Sequence, residues 1–584
     1  MTDHQPPAFP RVSDSAADEK TVVSGSIFGA DPAPPKPAAA PVLGGDSRAR
    51  WAVVGVAAVL VVALIGALLV FAGPKSGTPS TVARYAPADT VAYVEARLDL
   101  PGDQHNGLAA FMSHFPGFAD QAAFDQKFDE TLDQFFARAN AGMNKAMDWQ
   151  HHIEPWFGGQ VGVFSSTIDP DPGTPPSLTA AFSVKDHAAL ESWLSNAGEI
   201  VTYEGQDIHT GSSMPNGVNF AATDDALVVG ARIEDVKRAL DAQADRQPGL
   251  ADDQFFLQQL GALRADHLGL VYYDGRGTAA QLRDQLDDMG GGELSFEVPS
   301  GLLDLVIGAT EARTLGELRA ETDHLTVTAR RERPADADLP PLPANRSSNL
   351  AALVPATSLA YVEMRDVGQT IGFVLGKLMA PTPGASPLPF DLSGLNQMLG
   401  TSVPEYFDFL VDVGASFTLI DGDALFGLVA SVDDEAIARS RVDRLLTLAR
   451  SLMQFGGGIT FEDRDFDGVE ATVIKFADGP AGSVGGIAVA VHAGTLFIGN
   501  EEFVDFALDH PADQALAARP EYQQGLQAGG ANNAGVAFID LEALRTLSEY
   551  ELNQKPFLAP LSHLMMVNTT EGTTSVGHVF LYVE

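Results

Sequence analysis

Hydrophobic and polar residues follow short periods along most of this chain, but one stretch is apolar throughout. Residues 51–72, WAVVGVAAVLVVALIGALLVFA, contain no charged residue and no proline. As a helix rising about 1.5 Å per residue, this stretch is roughly 33 Å long, which is enough to cross the hydrocarbon core of a bilayer. The pattern therefore predicts a transmembrane helix at 51–72, with the bilayer itself as a partner.

Basic residues near this stretch predict its orientation. Arg48 and Arg50 lie immediately before it, and Lys75 and Arg84 follow its C-terminal end. This bias favours a cytoplasmic N-terminus and places the bulk of the chain outside the cytoplasm. A cleaved signal peptide is the alternative, although a leader of this length and so long an apolar run are unusual for one. Residues 1–50, rich in Pro, Ala, Ser and Asp, are predicted to be a disordered cytoplasmic tail, and 73–80 a linker.

Beyond residue 80, alternating and helical periods follow one another. Alternation predicts strands at 91–97, 160–164, 178–184, 268–273, 316–320 and 324–330, and helices are predicted at 186–197 and 234–242. Phe124, Phe128, Leu132 and Phe135 recur at helical spacing, which is typical of an amphipathic helix. Asp-Gly pairs at 421–422 and 467–468 predict tight hairpins, and hence antiparallel strands. This mixture is typical of an α+β fold.

The pattern also repeats along the chain. Tyr85–Arg97 realigns with Leu353–Arg365, and the stretch Ala226–Gly230 realigns with Thr495–Gly499. The same order and spacing predict a tandem duplication. The predicted fold class is therefore α+β, with a single N-terminal transmembrane helix followed by two tandem homologous units of antiparallel sheet with packed helices. The units are predicted at 81–333 and 349–584, joined by a Pro-rich linker at 334–348.

Composition narrows the range of functions. The net charge is −41, and the chain has no cysteine. A strongly acidic surface repels nucleic acid and attracts cations or basic partners, although acidity also serves solubility alone. The lack of cysteine excludes disulfides, thiolate metal sites and cysteine nucleophiles. No nucleotide-binding loop or serine-nucleophile motif is present beyond residue 80, so the sequence predicts neither an enzyme nor a cofactor.

The candidate ligand-binding residues lie on two equivalent strands. Alternation places Tyr93, Glu95 and Arg97 on one face of the first strand. The second copy has Tyr361, Glu363 and Arg365 at the equivalent positions. An acid and a base two apart on one strand face can bind a ligand, but such residues more often pair across strands on a solvated or helix-covered sheet face.

Candidate metal and modification sites are fewer. Asp463, Asp465 and Asp467 match the opening of a calcium-binding loop, but Ile474 stands where such a loop has its bidentate glutamate, so a hairpin turn is the favoured interpretation. His151, His152 and Glu154 are close together without the spacing of a zinc site. Thr21, between acidic and β-branched residues, is a candidate phosphorylation site.

Several motifs resemble a known family. They are the opening P-A-x-x-x-A-Y-V-E, the segment Pro155–Gly159, the helix start Val184-Lys185-Asp186 and the hairpin Tyr203-Glu204-Gly205. Together they resemble the uncharacterised, membrane-anchored bacterial proteins called DUF3352, over most of residues 81–584. The resemblance implies a location at the bacterial cytoplasmic membrane and brings no established activity.

The function predicted from these observations is a non-enzymatic binding or scaffold role outside the cytoplasm, with a protein partner in the cell envelope. Two alternatives remain open. One is an envelope hydrolase that uses carboxylates in a cleft between the two copies. The other is a carrier of an apolar ligand, with residues 371–379 as a candidate lining.

Overall fold

The computed structural model describes the chain beyond residue 79, with several gaps. The described residues are 80–139, 149–166, 177–194, 198–210, 218–280, 283, 300–379, 392–420, 423–453, 459–476, 486–547 and 556–584. None of the helices in these ranges is both long enough and apolar enough to cross a membrane. This finding corrects the predicted single-pass membrane architecture and location. The predicted span at 51–72, the tail with Thr21 and the Asp421-Gly422 turn lie outside the described residues.

The described residues contain 20 strands. In the first half they are β1 Ala92–Arg97, β2 Phe157–Ser165, β3 Leu178–Val184, β4 Glu199–Tyr203, β5 Gln206–Thr210, β6 Asn219–Ala222, β7 Ala226–Gly230, β8 Gly269–Asp274, β9 Arg313–Ala320 and β10 His324–Glu332. In the second half they are β11 Ser358–Met364, β12 Leu410–Ile420, β13 Asp423–Val432, β14 Ile459–Phe466, β15 Val469–Phe476, β16 Ile487–His492, β17 Thr495–Asn500, β18 Gly535–Asp540, β19 Leu561–Glu571 and β20 Thr574–Val583. Most strands predicted from alternation are confirmed to within a few residues.

All these strands belong to one antiparallel sheet. Its order is β4-β5-β6-β7-β3-β2-β1-β8-β9-β10 and then β20-β19-β18-β11-β12-β13-β17-β16-β15-β14. The predicted fold class, with a sheet in each of two tandem units, is therefore wrong, because the strands of both halves form one sheet in which β10 pairs with β20 along its whole length. Local alternation identifies strands, but it contains no information about which edges will meet.

The helices lie on both faces of this sheet. They are α1 Gln104–Met112, α2 Phe124–Ala139, α3 His187–Leu194, α4 Ile233–Gln243, α5 Gln254–Ala262, α6 Ser300–Thr310, α7 Val367–Leu378, α8 Leu392–Leu399, α9 Glu435–Met453, α10 Glu501–Leu508, α11 Pro520–Gly529 and α12 Leu541–Leu547. The helices predicted at 186–197 and 234–242 are confirmed as α3 and α4, and residues 195–197 lie outside the described residues. The predicted aromatic stripe is confirmed in α2, where Phe124, Phe128 and Leu132 are buried.

Each half has one core on either side of the sheet. In the first half, α4 and α5 cover the face that carries Tyr93, and α1 to α3 cover the opposite face. In the second half, α10 and α11 cover the face that carries Tyr361, and α7 and α9 contribute to the core on the other side. The face that carries Tyr93 and Tyr361 is continuous from one half to the other and is called the tyrosine face below.

The halves meet at a point of near symmetry. Thr328 of β10 lies opposite His578 of β20, and the Thr328 Oγ1 and His578 Nδ1 atoms are 3.2 Å apart. The two residues occupy equivalent strand positions. Thr328 is paired through Glu317 of β9 with Leu270 of β8, and His578 is paired through Val567 of β19 with Val536 of β18. Leu270 and Val536 are themselves equivalent positions of the two halves. The register therefore relates the halves by an approximate two-fold axis through this pair.

Buried histidines near this junction predict a loss of stability in mild acid. His563 is 3% exposed and stacks on Tyr582 with ring centroids 4.3 Å apart, and burial lowers the pKa of His563 to about 4. Because the folded pKa is depressed, the unfolded chain takes up this proton first, and stability falls as the pH drops below the unfolded value near 6.5. From pH 6.5 to 5, we expect His563 alone to contribute about 1–2 kcal/mol of this loss, so the His563→Gln variant should lose that much less stability than the wild type. Urea unfolding at both pH values checks this, and an equal loss in the variant would contradict it.

Candidate binding pocket

A small pocket opens on the first half, beside the start of β2. Its volume is about 230 Å³, and its walls come from α2, from the π-helical turn Trp149–Ile153 and from the ends of β1, β2 and β3. The lining residues are Leu98, Asp99, Asp125, Phe128, Asp129, Trp149, Glu154, Phe157, Gly158, Gly159 and Lys185. Two of the motifs that carry the family resemblance, Pro155–Gly159 and Val184-Lys185-Asp186, therefore contribute to one pocket.

The two glycines in the wall allow the backbones to approach closely. Gly159 has a φ of +94°, which glycine adopts far more readily than other residues, and a Cβ there would lie 2.7 Å from Asp99 Cβ. At Gly158 a Cβ would meet the Ser183 side chain at 2.7 Å. The glycines thus let β2 lie against the chain after β1 and bring Asp99 to the pocket.

Aromatic side chains form the apolar wall. The Trp149 and Phe157 rings meet edge to face, with centroids 5.6 Å apart. Asp133 of α2 accepts the backbone N–H of Trp149 at 2.9 Å, so the turn is fixed to the helix. Behind the wall, Trp156 stacks on Trp193 and its indole N–H donates to the His152 carbonyl oxygen at 2.8 Å. These contacts give the pocket a rigid base.

Carboxylates surround this aromatic wall. Asp99, Asp125, Asp129 and Glu154 line the pocket, against one lysine, Lys185. Arg97 donates to both oxygens of Asp99, at 3.0 and 2.7 Å, and His105 lies 3.0 Å from Asp125. Burial, followed by repulsion from Glu154, raises the pKa of Asp129. The carboxylates therefore repel one another, and a cation entering the pocket would relieve that repulsion.

The sequence-predicted ligand face is buried in the structure. Tyr93, Glu95 and Arg97 are all buried on the tyrosine face, and the Tyr93 hydroxyl donates to Glu95 Oε2 at 2.5 Å. In the second half the Tyr361 hydroxyl donates to Glu363 at 2.7 Å, and Arg365 pairs with Glu363. The structure brings each set of three residues together, but inside the protein rather than at its surface.

The three aspartates of the predicted calcium loop lie on a hairpin. Asp463 and Asp465 belong to β14, and Asp467 with Gly468 forms the two-residue turn to β15, both with positive φ. Asp463 pairs with Arg450 at 2.9 Å, and Asp465 accepts the Gly468 N–H at 2.8 Å. The predicted Asp467-Gly468 turn is confirmed. Within the part of the chain that the structure describes, no three metal-ligating side chains form a group that could hold a metal ion.

The remaining candidates fall in separate places. Glu154 lines the pocket, and His151 and His152 belong to the π-helical turn beside it. Residues 371–379, the predicted apolar lining, are half-buried in and after α7. Asp125 and Asp129 were not singled out by sequence. Their signal was a pair of acids one helical turn apart, each next to the aromatic stripe of α2.

The fold and the pocket together define an antiparallel-sheet protein with an acidic, aromatic-walled pocket. Residues 52–298 match the model of a family described as "Protein of unknown function (DUF3352)". This match supports the family for the half that contains the pocket, whereas the sequence-based resemblance extended to residue 584. No curated protein matches the chain.

Two solved structures show a slight likeness. They are crystal forms III and I of TP0453, with 10% and 12% identity to this chain. The matches cover 40% and 38% of this chain and 92% and 73% of those chains, with a TM-score of 0.20 in both cases. At this score the likeness carries no argument.

Proposed function

We propose that this protein is a non-enzymatic binding protein whose pocket takes a basic side chain, a lysine or an arginine, from a protein partner. The observation that carries the proposal is the combination of Asp99, Asp125, Asp129 and Glu154 with the aromatic rings of Trp149 and Phe157 in one pocket. Carboxylates attract the charged head group, and aromatic rings favour the same cation and its apolar stem.

The size of the pocket and the charge of the chain support this ligand class. A volume of about 230 Å³ is below the roughly 300–1,000 Å³ of pockets for drug-sized ligands, and it suits one long side chain. The net charge of −41 attracts basic partners at a distance and speeds their encounter. In the second half Val367 stands at the position that corresponds to Asp99, so this carboxylate of the pocket is not repeated there.

Calorimetric titration with an acetylated, amidated trilysine peptide tests the proposal. We expect saturable binding to the wild type that weakens with added salt, since exposed charges are screened. The triple variant Asp125→Asn, Asp129→Asn, Glu154→Gln removes most of the pocket charge and should weaken binding at least tenfold, or about 1.4 kcal/mol.

A matched control separates the pocket from general acidity. Glu191→Gln, Glu502→Gln and Asp513→Asn remove the same number of carboxylates from exposed positions elsewhere. This control should bind trilysine nearly as the wild type does. Equal weakening in both triple variants would mean that overall charge, and not the pocket, attracts the peptide, and the proposal would then be abandoned.

A further inference from the structure

The equivalent buried arginines of the two halves, Arg97 and Arg365, pair with different carboxylates. In the second half, the Arg365 guanidinium lies between two acceptors on the tyrosine face. It pairs with Glu363 Oε1, and its Nη2 donates to Asn533 Oδ1 at 2.9 Å. All three residues are buried, so this guanidinium compensates a carboxylate that water cannot reach.

The equivalent acceptors of the first half lack such a donor. Glu95 of β1 corresponds to Glu363 of β11. His267 corresponds to Asn533, since His267 lies two residues before β8 begins and Asn533 lies two residues before β18 begins. Glu95 is 1% exposed and His267 is 4% exposed. Among the described residues, neither Glu95 Oε1 nor His267 Nε2 has a hydrogen-bond partner. An unsatisfied buried acceptor is costly, and here two occur where the other half has a guanidinium.

Asp99, two residues after Arg97, explains why the guanidinium is missing from this place in the first half. Arg97, the equivalent of Arg365, is turned to Asp99, to which its Nε and Nη2 donate. Val367 stands at the position of Asp99 in the second half, so Arg365 has no competing carboxylate there. Asp99 therefore adds a negative charge and also draws the guanidinium away from Glu95.

The two unpartnered atoms call for the same kind of occupant. His267 Nδ1 lies 3.0 Å from the Arg264 carbonyl oxygen, so Nδ1 carries the proton and Nε2 presents a lone pair. Glu95 Oε2 already accepts from the hydroxyls of Tyr93 and Ser80, which leaves Oε1 as an acceptor. Two acceptors are satisfied by a group with at least two N–H or O–H donors. The extra carboxylate of Asp99 favours a positively charged donor over water.

We propose that Glu95 Oε1 and His267 Nε2 form a buried seat for a small monovalent cation that donates hydrogen bonds, of the ammonium class, at the place that the Arg365 guanidinium fills in the second half. The seat lies on the tyrosine face of the sheet. It depends on Asp99, which also lines the pocket, but it does not depend on the function proposed for the pocket.

Stability in ammonium chloride, compared with sodium chloride at the same ionic strength, tests the seat. For a dissociation constant of about 10 mM, 100 mM ammonium should raise the folding equilibrium constant about tenfold, because it binds only the folded state. A protein-bound ¹⁵N-ammonium signal with slowly exchanging protons should appear in NMR spectra of the same sample. Sodium cannot donate hydrogen bonds and should give no such effect.

Two variants place the effect at the seat. Asp99→Val copies Val367 and releases Arg97, which should then fill the seat as Arg365 does and abolish the ammonium effect. His267→Phe removes one of the two acceptors and should abolish the ammonium effect even though Arg97 stays paired with Asp99. The pocket triple variant described above should keep the full ammonium response, so failure of the pocket proposal and failure of the seat are distinguishable. Equal stability of the wild type in the two salts, or an ammonium effect that persists in both seat variants, would overturn the proposal.

Discussion

Replacing Arg365 by alanine is expected to lower the free energy of unfolding by about 3–5 kcal/mol. The substitution leaves Glu363, which is 3% exposed, without its buried counter-ion, and it also removes the donor to Asn533 Oδ1. A buried carboxylate that loses its partner costs far more than the pair contributed while intact. Urea unfolding of the wild type and the variant at neutral pH measures the difference.

Two comparisons give this prediction its specificity. The double variant Glu363→Leu, Arg365→Met removes both charges and should recover most of the loss, because no unpaired ion remains. Arg450→Ala breaks the exposed pair with Asp463 and should cost less than about 1 kcal/mol. A loss below 1 kcal/mol for Arg365→Ala would show that the pair is not buried as the structure has it.

Replacing Gly159 by valine is expected to cost about 3–5 kcal/mol, as the sum of a strained left-handed backbone and overpacking. Its φ of +94° disfavours a β-branched residue, and the new Cβ would meet the Asp99 backbone nitrogen at 2.9 Å. The chain after β1 would have to move away from β2, and the pocket would lose the position of Asp99. Thermal unfolding and trilysine titration of the same variant measure both effects.

Gly205 provides the matched control. It also has a positive φ, +84°, but a Cβ there would meet nothing within 4 Å. Gly205→Val should therefore cost only the backbone strain, about 1–3 kcal/mol, and leave trilysine binding unchanged. If both valine variants were equally destabilised, the close approach at Gly159 would not be the cause.

The strands were predictable because their alternation is local. Which face of β11 would be buried was not predictable from that alternation. Alternation placed Tyr361, Glu363 and Arg365 on one face and Val362 and Met364 on the other. The charged face turned out to be buried, whereas Val362 and Met364 are about half exposed. Helices α10 and α11, distant in sequence, cover the charged side, and buried charges are tolerated there because they pair.

The join between the halves was hidden for a similar reason. A proline-rich segment such as 334–348 is typical of a semi-extended linker rather than a packed element. In the structure it follows the sheet, and Arg346 exchanges backbone hydrogen bonds with Asn533 at 3.0 and 3.2 Å. The pairing of β10 with β20 requires two distant strand edges to match, and no local pattern encodes that match.

The pocket illustrates what motif analysis overlooks. Phe157, Gly158, Gly159 and Lys185 belong to motifs noted in the sequence, but Asp125 and Asp129 read as the solvated side of an amphipathic helix. Only the π-helical turn Trp149–Ile153, folded back on α2 through Asp133, makes that side the wall of a pocket. Such turns are rare, and they have no recognisable sequence pattern.

Fluorine NMR of protein labelled with 5-fluorotryptophan tests the central claim most directly. The chain has four tryptophans. Of the three that the structure describes, Trp149 alone lines the pocket, whereas Trp156 and Trp193 stack on each other behind it. The Trp149→Phe variant assigns the pocket signal. Titration with the trilysine peptide should shift the Trp149 signal saturably and should leave the Trp193 signal in place. An unchanged Trp149 signal at saturating peptide, or an equal shift in the pocket triple variant, would contradict the claim that this pocket binds a basic side chain.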